Sequence, residues 1–405
     1  MNILMVLSDN TYPPDGRVER EARDLIRDGH TMYLLARRGI HQPTREICDG
    51  VNVIRVPLPF QRFKPAADLI YQVFQKYFIF FHILNACRKH RIEALHVHDL
   101  PYAWATTRAG GKLGIPVVFD MHENYLEMMK TGIEARGYRI TKPLFWLQMA
   151  LMRREEKIAC RRAHKVIVVA EEHIERIEGL GIKPENIVVV TNTEDVDHFR
   201  GLPLDQNLID QYKNDFIILY FGGLSGHRGL ETAIEALPQV RREIPNAKLL
   251  LVGSGYYEKK LRQITEEAKV SKYVIFAGHQ PFKTMPSYIN LCRVGLIPHI
   301  STPHIETTMP NKIFQFMLLG KPVVVSSTRP MMRVVQDAQC GLIFQERDAA
   351  SLAETIIKLK DANLRRKLGE NGKQAAENRY NWHRTVQALL EIYRNLNFAV
   401  RERSS

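Results

Sequence analysis

The chain has 405 residues, enough for two or three domains of ordinary size, and we take two as the working number. Its 45% hydrophobic and 25% charged residues exclude a disordered or collagen-like chain. The net charge of +13 is concentrated in residues 51–165, where 19 Lys and Arg stand against 9 Asp and Glu, so an anionic partner is indicated: nucleic acid, an acidic lipid surface or a phosphorylated substrate.

No apolar run reaches the roughly 18 to 20 residues that a membrane-spanning helix needs, and the N-terminal residues lack the basic start and cleavage site of a signal peptide. We therefore expect a cytoplasmic protein. The five cysteines are odd in number, widely spread and contain no C-x-x-C pair, which argues against a disulfide framework or a zinc knuckle.

The first half of the chain alternates short apolar runs with amphipathic segments. The runs are NILMVLS, TMYLLA, VNVIRV, ALHVH, PVVFD, KVIVVA and NIVVV. The first helix is expected to begin at Arg17 and to end at Gly29. Continuous apolar strands alternating with helices predict a parallel sheet that is covered on both faces.

The apolar periodicity lapses near residues 200–212 and then restarts with FIILYF, AKLLLV, YVIF, VGLI, PVVV and GLIF. We predict an α/β fold of two Rossmann-like domains, over 1–205 and 206–380, with a last helix over 381–405 that packs back on the first domain. Ligands of open parallel sheets bind beyond the carboxyl ends of the strands, so two such domains are expected to face one cleft.

Two strand ends in the first domain carry candidate functional residues. In SDNTYPPDGR, Gly16 would bring the backbone close to a ligand, although a plain turn between strand and helix is the favoured interpretation of this stretch alone. In VVFDMHENY, His122 follows a buried strand and is flanked by Asp120 and Glu123. Because alternating strand residues face opposite sides, we do not expect these three to share a metal ion; His122 on its own could also cap a helix or fill a pocket rim.

Two strand ends in the second domain have features of anion sites. In YFGGLSGHRGLETAIEAL, a glycine-rich turn and Arg228 precede a helix, an arrangement that suits phosphate, though a helix capped by a flexible turn fits equally well. In TTMPNKIFQFMLLGKPVVV, Thr307 or Thr308 is expected to cap a helix that has Asn311 and Lys312 at its mouth. A lysine in the first turn opposes the helix dipole, and an anionic ligand would resolve that conflict.

Two other patterns are set aside. VGSGYY has Glu258 where a dinucleotide fingerprint needs a small residue, so no NAD site is predicted there. Asp195 and Asp197 have the spacing of metal ligands but lie in a turn after a strand, where turn-forming side chains are the simpler interpretation.

These motifs, in their order and spacing, give the chain a resemblance to the family-4 glycosyltransferases of GT-B fold over nearly its whole length. The matching stretches are PPDGRVEREARDLIRDGH, DMHE, AHKVIVVAEEH, VVVTNTEDVDHF, FGGLSGHRGLETAIEAL, LLLVGSG, VIFAGHQP and MPNKIFQFMLLGKPVV. The resemblance implies a nucleotide-sugar in the second domain, an acceptor in the first, transfer with retention at the anomeric carbon, and no required metal or other cofactor.

The resemblance also assigns roles to particular residues. Arg228, Lys312 and the amides that start the 310–319 helix would hold the diphosphate, and Gly16 would approach the donor. His122 would hydrogen-bond the donor sugar. The remaining expected donor-binding residues are Gly223, His279, Thr307, Thr308, Asn311 and Gln315, with the backbone around His279 meeting the base.

The chain departs from the family pattern at two acids. The Glu-x7-Glu positions hold Thr307 and Gln315, and Glu306 lies one residue early. The second acid of the family usually binds the ribose hydroxyls. The amide of Gln315 can still form hydrogen bonds to these hydroxyls, but they are uncharged and therefore weaker. A basic residue that is often present where Gly223 stands is missing as well.

The basic first domain contains two aromatic-rich amphipathic stretches, 66–87 and 142–165. In the first, Tyr77, Phe80 and Leu84 are expected on one arc, with Phe74 and Phe81 widening it. For most of these apolar residues, the favoured interpretation is a purely structural one, in which the helices only cover the sheet. The alternative is attachment to an anionic membrane surface, which would make a lipid-linked sugar the acceptor.

A retaining glycosyltransferase is the leading hypothesis, and three alternatives stand beside it. The missing acids motivate the first, a catalytically silent GT-B protein that binds a nucleotide-sugar or a partner enzyme. Nucleic-acid binding lacks any recognition motif. A hydrolysing epimerase of the same fold would need additional acids in the cleft.

Overall fold

The computed structural model of the chain describes residues 1–57, 68–135 and 142–402. The chain forms two units, one from Met1–Lys130, Arg139–Thr191 and Val386–Ser405 and the other from Thr131–Tyr138 and Asn192–Thr385. The main change of unit, between residues 191 and 192, comes earlier than the boundary inferred from the lapse of periodicity.

The first unit is built on an eight-stranded sheet in the order β3-β4-β2-β1-β5-β6-β7-β8. All its strand pairs are parallel except β3 with β4. Its elements are β1 Asn2–Thr11, α1 Gly16–Arg27, β2 Thr31–Arg37, β3 Arg45–Cys48, β4 Val51–Val56, α2 Asp68–His90, β5 Ala94–His98, α3 Ala103–Leu113, β6 Val117–Met121, α4 Tyr125–Ala135, α5 Lys142–Arg162, β7 Lys165–Val168, α6 Ile174–Glu178 and β8 Ile187–Val189.

The second unit is built on a six-stranded, fully parallel sheet in the order β11-β10-β9-β12-β13-β14. Its elements are α7 Val196–Arg200, α8 Gln206–Gln211, β9 Phe216–Phe221, α9 Leu230–Glu243, β10 Ala247–Val252, α10 Glu258–Glu267, β11 Val274–Gly278, α11 Met285–Leu291, β12 Val294–Ile297, α12 Lys312–Leu318, β13 Val323–Ser326, α13 Arg329–Ala338, β14 Gly341–Phe344, α14 Ala349–Lys358 and α15 Ala362–Asn378. The last helix, α16, spans Trp382–Glu402. Its residues up to Thr385 belong to the second unit, and its residues from Val386 onward belong to the first unit.

The predicted strands are confirmed, and the reason lies in their burial. All residues of β5, β6, β9 and β12 are buried, as expected for central strands of a sheet that is covered on both faces. Sequence analysis missed β3, whose residues alternate between exposed and half-buried. It pairs antiparallel at the sheet edge and therefore has no continuous apolar run to reveal it.

The predicted helix over 66–87 is α2, with residues 66 and 67 outside the described part. The apolar arc assigned to it was wrong in part. Phe80 and Leu84 are buried, but Phe74, Tyr77 and Phe81 are 69%, 49% and 64% exposed. Ile79 and Ile83 complete the buried face instead, so α2 covers the sheet with one stripe and leaves an aromatic stripe uncovered.

None of the described helices is both long and apolar enough to span a membrane.

Candidate active site

The switch point of the second sheet lies between its two central strands, β9 and β12, where the connections leave in opposite directions. The loops that follow these strands are pressed together. Gly229, at the start of α9, has φ 65°, and a Cβ there would lie 1.9 Å from the carbonyl oxygen of Pro298. A residue with a side chain would therefore separate the two loops that build the site.

Lys312 lies at this edge, and it is almost completely buried. Its Nζ stands 4.0 Å from the centre of the Tyr220 ring, and a Cβ on Gly222 would come within 2.9 Å of the same atom. No carboxylate among the described residues forms an ion pair with it. Burial first, and then the charge of Arg228, hold the pKa of Lys312 well below its usual range.

Arg228 is the second cation of the site. Its Nη1 donates to Nε2 of His299 at 3.2 Å, while its Nε is buried and has no hydrogen-bond acceptor in the described part of the chain. As with Lys312, no described carboxylate forms an ion pair with it. Arg228 as a whole is half-buried, but a cation that is removed from water without a counter-ion is costly, so this pair has the electrostatics of an anion site.

Histidines that sequence analysis did not identify surround the two cations. Burial and the charge of Arg228 lower the pKa of His227 to about 3 and keep that of the buried His299 well below its usual range. The ring of His304 packs edge-on against that of His227, 6.0 Å between centres. His299 and His304 follow β12 in the irregular stretch PHISTPH, which has no helical or strand periodicity to single them out.

The predicted helix cap was wrong. The hydroxyl of Thr307 donates to the carbonyls of Pro303 and His304, and that of Thr308 donates to the carbonyl of His304. These threonines close a 3-10 turn at residues 305–307, and the helix begins only at Lys312. Asn311 stands at its N-cap without a side-chain capping bond, and Pro310 precedes the helix instead of lying in its first turn.

Gln315 is held by a partner far away in sequence. Its Nε2 donates to Oε2 of Glu194 at 2.7 Å, and the two residues are 4% and 1% exposed. Glu194 lies in the turn before α7, where the neighbouring Asp195 caps that helix by accepting from the amide of His198, in agreement with the turn interpretation of this stretch. The amide at position 315 therefore forms a buried hydrogen bond to a carboxylate.

The two remaining candidates in this unit lie on different strands. Gly223 is the second residue after β9, and a Cβ added to it would meet no atom within 4 Å, so nothing crowds this position. Its carbonyl accepts a hydrogen bond from the Tyr220 hydroxyl at 2.8 Å. His279 follows β11 at the outer edge of the sheet, with β10 between it and β9.

In the first unit, the candidates gather around the end of β6. Gly16 is the first residue of α1, which Asp15 caps through the amide of Val18. The next residue, Arg17, points into the unit, and its Nε and Nη2 donate to the two carboxylate oxygens of Asp120 at 3.0 and 2.9 Å. This buried bidentate pair joins α1 to the central sheet and holds the pKa of Asp120 well below its usual range against the effect of burial.

His122 lies between two carboxylates. Its Nε2 is 3.0 Å from Oδ2 of Asp120, and its Nδ1 is 3.5 Å from Oδ2 of Asp99. The prediction that Asp120, His122 and Glu123 do not share a metal ion was argued from alternating strand residues facing opposite sides. That argument does not hold for Asp120 and His122, because residues two apart on a strand share one side, and here the two side chains touch. Burial alone lowers the pKa of His122, yet Asp99 and Asp120 outweigh it and raise the pKa to about 9. The two carboxylates therefore favour the imidazolium form of His122.

Behind His122, four side chains have the composition of a metal-ligand set. They are the fully buried Glu21, His96, His98 and Asp120, each with a ligand atom within 4.8 Å of the others. Arg17 contacts both carboxylates, at 2.9 Å in each case, and so supplies these acids with a cation from the chain itself. Burial and the neighbouring Asp120 raise the pKa of Glu21 to about 7.

Two family descriptions match the chain, each over one half: "Glycosyl transferase 4-like domain" over residues 16–193 and "Glycosyl transferases group 1" over residues 205–375. An uncharacterised glycosyltransferase of Methanocaldococcus jannaschii is 24% identical over 393 residues, 92% of this chain and 92% of that protein. The alpha-D-kanosaminyltransferase of Streptomyces kanamyceticus is 22% identical over 292 residues, 70% of this chain and 72% of that one.

Among solved structures, sucrose-phosphate synthase of Thermosynechococcus elongatus is similar with a TM-score of 0.78 at 19% identity, covering 98% of this chain and 100% of that one. Anabaena HepE in complex with UDP gives a TM-score of 0.69 at 18% identity, covering 98% and 100%. Two doubly wound parallel-sheet units place the protein in the GT-B structural class. With both family descriptions matched in order, the chain belongs to the family-4 glycosyltransferases of GT-B fold.

Proposed function

We propose that the protein is a retaining glycosyltransferase that moves a hexosyl or N-acetylhexosaminyl group from a nucleotide-sugar to a glycan or lipid-linked acceptor at a membrane surface. A UDP-sugar is favoured over a GDP-sugar, because HepE, which is similar over its whole length, has been crystallised with UDP. Retention of configuration and independence from metal ions follow from the family resemblance.

The observation that carries this proposal is the pair of cations formed by the buried Lys312 and the half-buried Arg228, for which the described residues provide no carboxylate partner. When the sugar leaves, negative charge develops on the diphosphate. Cations held in advance in a low-dielectric site stabilise that charge without the cost of reorganising solvent. His227 and His299, both neutral, can donate hydrogen bonds to the same phosphate oxygens without adding charge.

The acceptor side of the proposal rests on the first unit. Tyr77 and Phe81 of α2 are exposed, as are Trp146 and Leu147 of α5. These apolar side chains lie in the segment with the large excess of basic residues. Exposed aromatic and aliphatic groups among basic ones suit the interface of an anionic bilayer, where a lipid-linked acceptor would be met.

The test is calorimetric titration of UDP into Arg228→Gln, Lys312→Met and the double variant. Loss of a charge-assisted hydrogen bond is worth about 1.5 to 3 kcal/mol, so each single variant is expected to bind UDP about 10- to 150-fold more weakly. Lys358→Met is the matched control, because Lys358 is exposed on α14 of the same unit. Unchanged UDP affinity in the double variant would refute the proposed donor site.

The low pKa of Lys312 adds a second signature. A bound diphosphate stabilises the ammonium form, so UDP binding is expected to take up protons at a pH below the ordinary range of lysine. Titrations in buffers of different ionisation enthalpy measure that uptake directly. The uptake should vanish in Lys312→Met and persist in the Lys358 control.

One set of observations favours the alternative of a catalytically silent GT-B protein. Thr307 and Gln315, at the two positions where the family carries acids, both form hydrogen bonds within the unit. A panel of UDP- and GDP-sugars with glycan and lipid-linked acceptors separates the two functions. Binding without turnover of any donor supports the silent alternative, and product of the donor's anomeric configuration, seen by NMR, supports retaining transfer.

A further inference from the structure

A cleft of about 440 Å³ lies in the first unit, between the last turns of α2 and strands β2 and β4. The path of α2 explains its position. This helix connects β4 to β5 and passes over the two strands between them, β2 and β1, so the outer strands β4 and β3 lie to one side of it. The volume is that of an ordinary small-molecule site.

The floor of this cleft is apolar and its walls are basic. Leu35, Ile54 and Val56, which are buried or half-buried, form the floor. No Asp or Glu is among the described residues that line the cleft. The basic side chains that line it are Arg45, Arg55, His82, Lys89 and His90. This lining is complementary to an anion that carries an apolar group.

One of these cations is already used by the chain. Arg55 forms an ion pair with Glu46, and its Nε and Nη2 donate to the carbonyl of Tyr12 at 3.2 and 2.8 Å. Arg45 and Lys89 differ from it, because both are exposed and no described carboxylate forms an ion pair with either. These two residues therefore supply the uncompensated charge of the cleft.

The charges of Arg45 and Lys89 act on the same wall of the cleft. Burial, and then the charges of Lys89 and Arg45, lower the pKa of His90, and burial lowers the pKa of His82. Neutral imidazoles can donate hydrogen bonds to an anion beside the two cations. A basic last turn complements the dipole of α2, which accounts for Lys89 but not for Arg45, a residue of the edge strand β3.

The exposed aromatic stripe of α2 leads to this cleft. Phe74, Tyr77 and Phe81 are exposed along the helix, and Phe81 lies one turn before Asn85, which lines the cleft. An anion bound in the cleft can therefore extend an apolar chain along the stripe. A ligand with both parts is an amphiphile, as a membrane lipid is.

Two uncompensated cations favour a ligand with more than one negative charge. A phosphomonoester carries about −1.5 to −2 charges near neutral pH, whereas a phosphodiester carries one. We propose that the cleft binds the phosphomonoester head group of a membrane lipid, with Arg45 and Lys89 as its cations and the aromatic stripe of α2 against the lipid chain. The lipid as the source of the phosphate rests on the membrane surface of the proposed function.

Sedimentation with two kinds of phosphatidylcholine vesicle tests the site. One kind contains phosphatidic acid, a phosphomonoester, and the other contains enough phosphatidylglycerol, a phosphodiester, to give the same surface charge. The wild type is expected to bind the phosphatidic acid vesicles at least about tenfold more tightly, the equivalent of one charge-assisted hydrogen bond. The preference should disappear in the double variant Arg45→Gln with Lys89→Gln, which replaces two exposed residues and should fold normally.

The matched control is Arg88→Gln with Lys112→Gln. It removes two exposed positive charges from the same unit, neither of which lines the cleft, and should keep the preference. Equal binding of the wild type to both kinds of vesicle, or equal loss of the preference in the two double variants, would overturn the proposal.

Two calorimetric titrations complete the test. Glycerol 3-phosphate has the head-group chemistry without the lipid chain and should bind far more weakly than the vesicles; equal affinity would assign the cleft to a soluble phosphate and overturn the lipid. UDP should bind the Arg45 and Lys89 double variant as tightly as it binds the wild type, because both residues lie in the first unit. Failure of the cleft proposal is therefore distinguishable from failure of the donor site.

Discussion

Replacing Gln315 with a glutamate restores the acid of the family pattern, yet the structure predicts that this change destabilises the second unit. The wild-type amide donates to Glu194 at 2.7 Å in a site where both residues are buried. The substituted side chain would instead place a second carboxylate against the first. Two like charges at this distance cannot both remain ionised, so one of the acids must take up a proton.

Protonation sets the size of the effect. Keeping a glutamic acid with an ordinary pKa of about 4.3 protonated at pH 7 costs about 3.7 kcal/mol. The protonated acid regains a hydrogen bond to its partner, so a loss of about 2 to 4 kcal/mol is expected for Gln315→Glu at pH 7. A carboxyl with a raised folded-state pKa favours folding fully below its unfolded pKa and loses that contribution as the pH rises. The deficit should therefore be small near pH 4 and grow toward pH 7.

Urea unfolding at pH 5 and pH 7, followed by circular dichroism, measures this difference. The exchanged double variant, Glu194→Gln with Gln315→Glu, reverses donor and acceptor and should unfold within about 1 kcal/mol of the wild type, so that the two changes couple strongly. Glu194→Gln alone leaves two amides that can still bond each other. A Gln315→Glu variant as stable as the wild type at pH 7, or a double variant no better than it, would refute the reasoning.

Two further predictions concern backbone packing and lipid. In Gly229→Ala, a residue with φ 65° gains a Cβ 1.9 Å from the Pro298 oxygen, so the melting temperature should fall by about 2 to 4 °C for each kcal/mol of strain. Gly223→Ala is the control, because a Cβ there meets open space and the variant should melt at the wild-type temperature. Equal losses of melting temperature in the two variants would contradict this reasoning. The protein should cosediment with acidic liposomes at low salt and be released at high salt. Phe81→Ser, which removes an exposed aromatic ring of α2, should weaken this association. Association that does not depend on lipid charge would contradict the proposed binding to an anionic membrane surface.

Much of the fold could be predicted because its signals are local. Runs such as FIILYF and PVVV are apolar without alternation, and only a strand covered on both faces requires that pattern, so the parallel sheets followed directly. The proximity of Arg228 and Lys312 in the candidate site could be anticipated for a similar reason: the carboxyl ends of parallel strands meet at one edge of the sheet, and both residues follow strand ends.

What could not be predicted depends on distant contacts or on fine choices of register. The arc of α2 was misjudged since both of its stripes are apolar, and only packing decides which one is buried. Thr307 was expected to cap a helix because it precedes an apolar run. Its hydroxyl instead donates to backbone carbonyls of the preceding residues, at the end of a 3-10 turn. The bond from Gln315 to Glu194 spans 121 positions, and nothing in the sequence between them indicates it.

The two units compensate the charge of their inward-facing cations in opposite ways, and this contrast supports the proposed donor site. In the first unit, Arg17 is matched by Asp120 and Glu21, so its burial is compensated by strong bonds that hold the fold. In the second unit, Arg228 and Lys312 lie close enough to lower the pKa of the lysine, and the described residues offer neither of them an acid. A protein retains such a destabilising arrangement where a ligand completes it. Lys312→Met should therefore raise the stability of the free protein while UDP binding weakens about 10- to 150-fold, a combination that a purely structural lysine would not produce.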